Sequence, residues 1–444
     1  MELTGNVFRR GAAGYEEARK STVWNARVPN RFPDVIVQAC SVADVQNAVR
    51  FAKRHGLRVG IRSGGHSWTA SHLRHGGLLL DVSRLDRIAV DGEAMTAAVG
   101  PGKHGNEMCA VLAAEDLFFP AGHCKGVAVG GYLLQGGYGW NSRVLGPACE
   151  SVLAVDVVNA DGELIHANSE ENSDIFWAAR GSGPGFFGVV VQFHVRIYHK
   201  PAVCGSSVYA YPLDLLEDIY RWAHAIGPEV DRRVELQVLM CTNFEPLGID
   251  QPTIVIAAPV FADSEDEARE AVRLLDTCPV REQALAAIPF APMTLLDWYD
   301  AVMHAYPDEH RYAADNMWTS ASIEDLLPAL KSIAQTLPPA PSHCLWLNWG
   351  PAPKRQDMAY SMEDDTYIAL YSVWQDALDD EHYGDWARYH MAEMAPLATG
   401  IQLADENLGQ RPAQFASKTA MSRLDLVRAT YDPEGRFHSW MGRP

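Results

Sequence analysis

The sequence has no hydrophobic run of membrane-spanning length and no CxxC pair. Its most apolar stretches, residues 152–158 and 253–261, have the length of strands and fall short of the roughly 18 apolar residues that a spanning helix needs. The eight cysteines are scattered, which argues against a disulfide framework or a zinc ribbon and suits a reducing compartment. Because residues 1–20 lack the apolar core of a signal peptide, we expect a cytoplasmic protein.

Positive charge is scarce, since Lys and Arg total 37 against 56 Asp and Glu, for a net charge of −19. Such an acidic surface repels phosphate backbones and anionic lipid, so we expect no nucleic-acid and no membrane partner. Hydrophobic residues make up 48% and charged residues 21% of the 444 residues, which are the values of an ordinary globular protein. At roughly 150 residues per domain, the length predicts two or three structural units.

Helix and strand patterns alternate over residues 1–200. Residues 42–55 have apolar side chains at helical spacing, with Ser41 as the N-cap and Gly56 as the stop. Beyond His199-Lys200-Pro201, strand-like runs alternate with amphipathic helices, which predicts a second region in which helices cover a sheet. The helices predicted there span residues 264–276, 323–336 and 381–394.

Two glycine-rich segments are candidate ligand sites. In I-R-S-G-G-H-S, residues 61–67, a strand ends in two glycines, so several backbone N–H groups can converge on an anion such as a pyrophosphate. A tight surface turn would have the same sequence. Residues 119–140 hold seven glycines around Cys124, a density that we read as too high for an ordinary helix or strand. That density suits backbone lying flat against a large planar ligand.

A third segment, G-S-G-P-G-F-F-G at residues 181–188, has a superficial likeness to a dinucleotide fingerprint. A helix precedes it and a strand follows it, which is the reverse of the Rossmann order. The sequence therefore argues against classical NAD binding, and we expect these glycines to pack beside the ligand of the other two segments.

Taken together, four motifs resemble the berberine bridge enzyme-like FAD-linked oxidases of the vanillyl-alcohol oxidase/p-cresol methylhydroxylase superfamily. They are R-S-G-G-H from Arg62, P-A-G-x-C-x-x-V-x-x-G-G from Pro120, R-G-x-G-x-x-x-F-G-V-V from Arg180 and Y-D-P-x-x-x-F from Tyr431. The resemblance implies an α+β protein with a two-part FAD-binding domain and a central substrate domain that has an antiparallel sheet covered by helices. The expected bounds are 1–200 for the FAD-binding domain, 201–410 for the substrate domain and 411–444 for a segment that returns to the FAD-binding domain.

The resemblance also implies a covalently held FAD. His66 would carry the 8α-methyl group through a ring nitrogen, and Cys124 would be joined to C6 as a thioether; imidazole and thiolate are both nucleophiles suited to an electron-poor ring. We expect no metal, because the spacing of His66, His72 and His75 matches no ligand pattern. The expected cofactor-binding residues are Arg62, Ser63, Gly64, Gly65, His66, Ser67, Cys124, Val127, Gly130, Gly131, Gly137, Tyr138, Gly188, Val189 and Val190.

The chemistry implied by the resemblance is transfer of a hydride from a small-molecule substrate to the flavin, removal of a proton by a base, and reduction of dioxygen to hydrogen peroxide. The favoured substrates are alcohols, hemiacetals or phenolic natural products. Val127 stands where a small residue in the family is associated with oxygen access. A dehydrogenase with another electron acceptor and a flavin-free binding protein on the same fold remain alternatives.

One departure from the family concerns the catalytic base. Gly400 stands where relatives carry the tyrosine of a Tyr-x-Asn motif, before an acidic-Leu-Gly stretch, so the usual base is missing. Tyr138 is our first replacement, because it lies inside the glycine-rich segment. Tyr138 could instead be a packing residue, and His123 could help to activate the thiol of Cys124 or could be solvated. The candidate catalytic residues are Tyr138, His123, Glu235, Tyr312 and Asn348.

Overall fold

The computed structural model describes residues 4–443, whose strands form three principal sheets and one two-stranded pair. The strands are β1 (Asn6–Arg9), β2 (Val35–Gln38), β3 (Val59–Arg62), β4 (Leu78–Asp81), β5 (Ile88–Asp91), β6 (Thr96–Val99), β7 (Leu117–Phe118), β8 (Val152–Val158), β9 (Leu164–Asn168), β10 (Val189–Arg196), β11 (Tyr198–His199), β12 (Val203–Pro212), β13 (Gln237–Cys241), β14 (Thr253–Ala262), β15 (Ala286–Pro292), β16 (Arg311–Thr319), β17 (His343–Asn348) and β18 (Thr366–Trp374).

The α-helices lie between and over these sheets. They are α1 (Tyr15–Ser21), α2 (Val42–Arg54), α3 (Gly105–Ala113), α4 (Val129–Leu134), α5 (Ser142–Leu145), α6 (Ser173–Ala179), α7 (Leu216–Ile226), α8 (Glu265–Val272), α9 (Leu295–Met303), α10 (Ile323–Gln335), α11 (Asp380–Tyr383), α12 (Trp386–Glu393) and α13 (Lys418–Tyr431). Within residues 4–443, none of the helices has both the length and the apolar character needed to span a bilayer.

The first sheet has the order β1-β2-β4-β3, with β2, β4 and β3 parallel. Helix α2 begins at the predicted cap, since the Ser41 side chain accepts a hydrogen bond from the backbone N–H of Asp44. Its apolar face, which includes Val45 and Val49, is buried in the same core as β2 and β4. The parallel arrangement places the loop after β3, which carries His66, at one edge of this sheet.

The second sheet is antiparallel in the order β5-β6-β10-β8-β9. Alternate residues of β8 and β10, such as Val155 and Phe193, are buried in a core shared with helices α3, α4 and α6. The opposite face carries polar side chains of intermediate or full exposure, including Asp156 and His194. This sheet therefore supports the glycine-rich segment around Cys124 on its apolar side.

The third sheet has seven antiparallel strands in the order β15-β12-β14-β13-β17-β18-β16. One face packs against helices α7, α8, α10 and α12 in a single hydrophobic core. The other face carries side chains such as Leu347, Tyr367 and Tyr371, which turn toward the first half of the chain. The predicted α+β class, with a helix-covered antiparallel sheet in the second half of the chain, is confirmed.

The C-terminal tail returns to the first sheet. The backbone N–H of Val59 donates to the carbonyl of Arg436 at 2.7 Å, and His438 donates back to Val59 at 3.0 Å. Phe437, between these two residues, is fully buried in the core beneath α2. The residues of the Y-D-P-x-x-x-F motif thus complete the edge of the first sheet next to β3.

Two sequence-based expectations about elements are wrong. The glycine-rich segment 119–140, which we read as too rich in glycine for a helix, contains the short helix α4. Its Gly130 allows close packing, since an added Cβ would lie 2.8 Å from the side chains of Pro101 and Ser63. The single helix predicted over residues 381–394 is two helices, α11 and α12, interrupted at Gly384.

Candidate active site

A cavity of about 1270 Å³ lies between the glycine-rich loops of the N-terminal half and the open face of the third sheet. All three glycine-rich segments reach it, together with side chains from β12, β13, β14, β17 and β18. Thirteen of the residues expected to bind a cofactor line this cavity, namely Arg62, Ser63, Gly64, Gly65, His66, Ser67, Cys124, Val127, Gly130, Gly131, Tyr138, Gly188 and Val190.

Two of the expected cofactor residues lie elsewhere. Val189 neighbours Val190 on strand β10, and because side chains alternate along a strand, it points into the core beneath α2. Gly137 is buried behind the cavity wall, where an added Cβ would lie 2.8 Å from Ala148 and 3.0 Å from Tyr132. In the glycine-rich segment 181–188, Gly183 and Gly188 line the cavity. We expected these glycines to pack beside the ligand, and only part of the segment lies there.

The loops that carry His66 and Cys124 pack directly against each other. An added Cβ on Gly126, whose φ is +79°, would lie 2.8 Å from Nε2 of His66. An added Cβ on Gly64 would lie 2.8 Å from the backbone nitrogen of Ala128. Because the missing side chains allow this approach, the imidazole and the thiol belong to one wall of the cavity.

The imidazole of His66 is neutral at physiological pH. Burial lowers its pKa to about 3, and the neighbouring charges of His104 and Arg62 act in the same direction. The ring stacks on Trp24 with centroids 4.6 Å apart and planes inclined by 19°. A neutral ring held flat in this way keeps a nitrogen lone pair that can attack an electrophile.

The thiol of Cys124 is protonated at physiological pH. Burial raises its pKa to about 12, and the charge of Asp405 adds to the rise. The preceding residue, His123, is held through its Nε2, which lies 3.0 Å from Oε2 of Glu235. Glu235 is buried, and its other oxygen accepts a hydrogen bond from the backbone N–H of Asn141 at 2.6 Å. The carboxylate of Glu235 therefore fixes the orientation of an imidazole that lines the cavity.

A carboxylate that the sequence reasoning did not single out also faces the cavity. Asp405 accepts hydrogen bonds from Nε1 of Trp68 at 2.5 Å, from the hydroxyl of Tyr371 at 2.9 Å and from the hydroxyl of Tyr367. Burial raises the pKa of this carboxyl, although the three donors act against the rise. Its position in the acidic-Leu-Gly stretch, a few residues after Gly400, was the signal that could have identified it.

Gly400, where the resemblance led us to expect a tyrosine, has no room for a larger side chain. Its carbonyl accepts a hydrogen bond from the backbone of Trp318 at 2.8 Å, and an added Cβ would lie 2.6 Å from the Met362 side chain. Gly400 is also absent from the cavity wall. The glycine is therefore required by local packing.

Of the predicted catalytic residues, Tyr138 and His123 line the cavity. Tyr138 lies edge-on to Tyr367, with ring centroids 5.5 Å apart, and burial raises the pKa of its hydroxyl well above the usual value. Glu235 lies behind His123 and is not part of the wall. Tyr138 can therefore donate a hydrogen bond into the cavity but stays protonated at physiological pH.

The structure corrects the expectation for two further candidates. Asn348 accepts a hydrogen bond from Nε1 of Trp346 at 2.9 Å and donates to the carbonyl of Ala223 in helix α7 at 3.0 Å, so its side chain lies on the helix-covered face of the sheet. Tyr312 donates its hydroxyl proton to the carbonyl of Pro307 and packs behind the wall. Sequence alone could not separate the two faces of these strands, because both faces are rich in aromatic and apolar residues.

The residues at the other part of the cavity fit an anionic, dinucleotide-sized group. His72 lines the cavity, and its buried Nε2 has no hydrogen-bond partner among residues 4–443. Arg74 also lines the cavity, and its guanidinium is anchored by the carbonyls of Ser71 at 2.6 Å and Ser439 at 2.7 Å. A cation and an unpaired imidazole nitrogen beside the loop Arg62–Ser67 are partners that a pyrophosphate can use.

The chain is similar to known FAD-linked proteins in sequence and in fold. Residues 33–168 match the model of the FAD binding domain family. The chain is 31% identical to the FAD-linked oxidoreductase nodO of Hypoxylon pulicicidum over 95% of this chain and 93% of that protein. The fold is similar to 6-hydroxy-D-nicotine oxidase from Arthrobacter nicotinovorans, with a TM-score of 0.85 and 22% identity over 98% and 97% of the two chains. It is also similar to BBE-like 1 from Physcomitrella patens, with a TM-score of 0.86 and 19% identity over 99% and 97%.

Proposed function

The chain belongs to the FAD-linked oxidoreductases of the berberine bridge enzyme-like family, and from that premise we propose that it is an oxidase with bicovalently bound FAD. In this proposal it oxidises an apolar alcohol, hemiacetal or phenol and reduces dioxygen to hydrogen peroxide. The observation that carries the proposal is the contact between the loops of His66 and Cys124, which brings a neutral imidazole and a thiol to one wall of a single cavity.

The residues that would hold FAD divide into attachment and binding groups. His66 would bond to the 8α-methyl carbon and Cys124 to C6, while the loop Arg62–Ser67 and Arg74 would bind the pyrophosphate. When bound, FAD supplies the two-electron acceptor that takes a hydride from the substrate and passes the electron pair to dioxygen. Gly130 of α4 lets the backbone lie close to this space, since an added Cβ would be 2.8 Å from the Ser63 side chain.

Asp405 is the proton acceptor that we favour. Oxidation of an alcohol carbon removes one hydride and the hydroxyl proton, and the carboxylate of Asp405 would take that proton as the carbonyl bond forms. Trp68, Tyr367 and Tyr371 orient the carboxylate, and its raised pKa makes it a stronger base than an ordinary aspartate. Tyr138, our first choice from the sequence, is better suited to donate a hydrogen bond to the substrate oxygen.

The floor of the cavity supports an apolar substrate. Six side chains from four strands of the third sheet are aliphatic there, namely Val208, Leu239, Val255, Ala257, Leu345 and Leu347. The same face also carries the polar side chains of Gln237, His343, Tyr367 and Tyr371. A terpenoid or polycyclic aromatic alcohol would gain from burying its surface on the aliphatic patch, and these polar groups could bind its oxygen. Sugars are the competing class, because the carbohydrate oxidase of Microdochium nivale is 30% identical over 66% of this chain.

The test begins with the mass of the acid-unfolded protein. We expect the polypeptide plus one FAD, a mass that persists in either single variant His66→Ala or Cys124→Ala and is lost in the double variant. Cys40→Ala, at a cysteine outside the cavity lining, serves as the control. A polypeptide without attached flavin in the wild-type protein contradicts the covalent proposal.

The second measurement is peroxide release over a matched panel of farnesol, 1-pyrenemethanol, benzyl alcohol, glucose and cellobiose. We expect peroxide from the apolar alcohols and little from the sugars. Preferential turnover of the sugars contradicts the substrate class. Flavin reduction by substrate without peroxide release, followed by slow reoxidation in air, supports the dehydrogenase alternative instead.

A further inference from the structure

Asp156, His166 and His194 converge on the solvent-facing side of the second sheet, and we propose that they form a binding site for a divalent transition-metal ion such as Zn²⁺. They come from three adjacent strands, β8, β9 and β10, and none of them lines the cavity. Val190, which does line the cavity, precedes His194 by four residues on β10, a distance of about 13 Å along an extended strand. The proposed site is therefore separate from the flavin site.

The geometry places three ligand atoms around one point. Nδ1 of His166 lies 2.7 Å from Oδ1 of Asp156, and Nε2 of His194 lies 2.9 Å from Oδ2 of the same carboxylate. The three ligand atoms are all within 4.8 Å of one another, and the two imidazole rings are inclined by 72°. Small side-chain rotations bring such atoms to the roughly 2.0–2.2 Å at which nitrogen and carboxylate oxygen bind zinc.

Strand pairing holds this arrangement in place. Asp156 is directly opposite His166 in the register of β8 and β9, and it is opposite Gln192 in the register of β8 and β10. His194 follows Gln192 by two residues, so its side chain leaves the sheet on the same face. Because the hydrogen-bonded backbone fixes all three positions, little ordering is required when an ion binds.

The chemistry of the set favours a borderline metal over magnesium or calcium. Two imidazoles and one carboxylate are ligands that suit zinc, nickel and copper, and three protein ligands leave a coordination position for water. His194 is paired in the sheet with Ala98 and Ala154, whose methyl groups leave room above it. The side chains of His166 and His194 are 42% and 34% exposed, so an ion can reach them from solvent.

A bound ion would connect the edge strand β9 to the two strands beside it. A ligand that binds only the folded state stabilises that state, so metal binding would raise the unfolding temperature of the protein. Without metal, the same groups form hydrogen bonds from imidazole to carboxylate. A metal site and a cluster held only by hydrogen bonds differ in whether the purified protein binds an ion.

The experiment uses chelator-treated holoenzyme titrated with ZnCl₂ by isothermal calorimetry, together with thermal unfolding at saturating Zn²⁺. We expect one Zn²⁺ per chain and a higher unfolding temperature. In the variant with both His166→Ala and His194→Ala, we expect affinity to fall at least tenfold and the thermal shift to vanish. His382→Ala, which removes an exposed histidine elsewhere, should bind like the wild type.

A second variant covers the case in which the double variant does not fold. Asp156→Asn keeps the size of the side chain and one carbonyl oxygen but removes the charge that a metal needs, so Zn²⁺ affinity should fall at least tenfold. The proposal is overturned if the wild type takes up no Zn²⁺, or if Asp156→Asn and the double variant bind it as tightly as the wild type. The absorbance of the flavin, followed in parallel, should not change on adding metal.

Discussion

The hydroxyl of Tyr371 donates a hydrogen bond to Oδ2 of Asp405 at 2.9 Å, on the face of the third sheet that looks into the cavity. This contact joins strand β18 of the third sheet to the segment that follows Gly400. In the proposed function Asp405 is the acceptor of the substrate proton, and Tyr367 and Tyr371 of strand β18 hold its carboxylate in place.

Asp405→Asn should abolish the base while preserving the shape of the site. Asparagine keeps one oxygen acceptor for Trp68 or the tyrosines but cannot accept a proton, so we expect kcat to fall by roughly 10²–10⁴. The flavin content and the mass of the unfolded protein should not change. Asp161→Asn, at a surface pair with Lys53, is the control. If Asp405→Asn retained more than a third of the wild-type kcat, Asp405 would not be the general base.

The pH profile follows from the raised pKa of the Asp405 carboxyl. The base works in its ionised form, so activity should rise with pH through a value above 3.8, the ordinary pKa of an aspartate, and be lost below it. The measurement is kcat/KM against pH with a substrate that has no titratable group. In Asp405→Asn the residual activity should lose this acidic limb, and an unchanged limb would assign it to another group.

Much of this site could be predicted from local sequence. Glycines that must allow close approach, such as Gly64 and Gly126, occur in short motifs, and so do His66 and Cys124. The acidic stretch after Gly400 could have pointed to Asp405, but the sequence could not show its hydrogen bonds, because the three donors come from residues that are distant in the chain. The side chain of Asn348 points toward the face of β17 that the helices cover. Because β17 is buried on both faces, its sequence does not show which face that is.

We expect Val127→Ile to slow the reaction of the reduced flavin with dioxygen and to leave the rate of flavin reduction by the substrate unchanged. Val127 lines the cavity three residues after Cys124, and a longer side chain there would narrow access for dioxygen. We expect reoxidation of the reduced holoenzyme to slow at least tenfold in stopped-flow absorbance, while anaerobic reduction by substrate keeps its rate. Val144→Ile, at an exposed valine, is the matched control. Equal reoxidation rates in all three proteins would show that Val127 does not control oxygen access.

Glu235→Ala should destabilise the protein and remove the hydrogen bond that orients His123. The buried carboxylate of Glu235 bonds to Nε2 of His123 and to the backbone N–H of Asn141, and its removal leaves that buried N–H without a partner. Loss of a buried acceptor costs about 1–3 kcal/mol of unfolding free energy, which urea titration of the holoenzyme can measure. Glu235→Gln, which keeps one oxygen for Asn141, should recover most of that free energy. If both variants were as stable as the wild type, the buried contacts of Glu235 would not contribute to the stability of the protein.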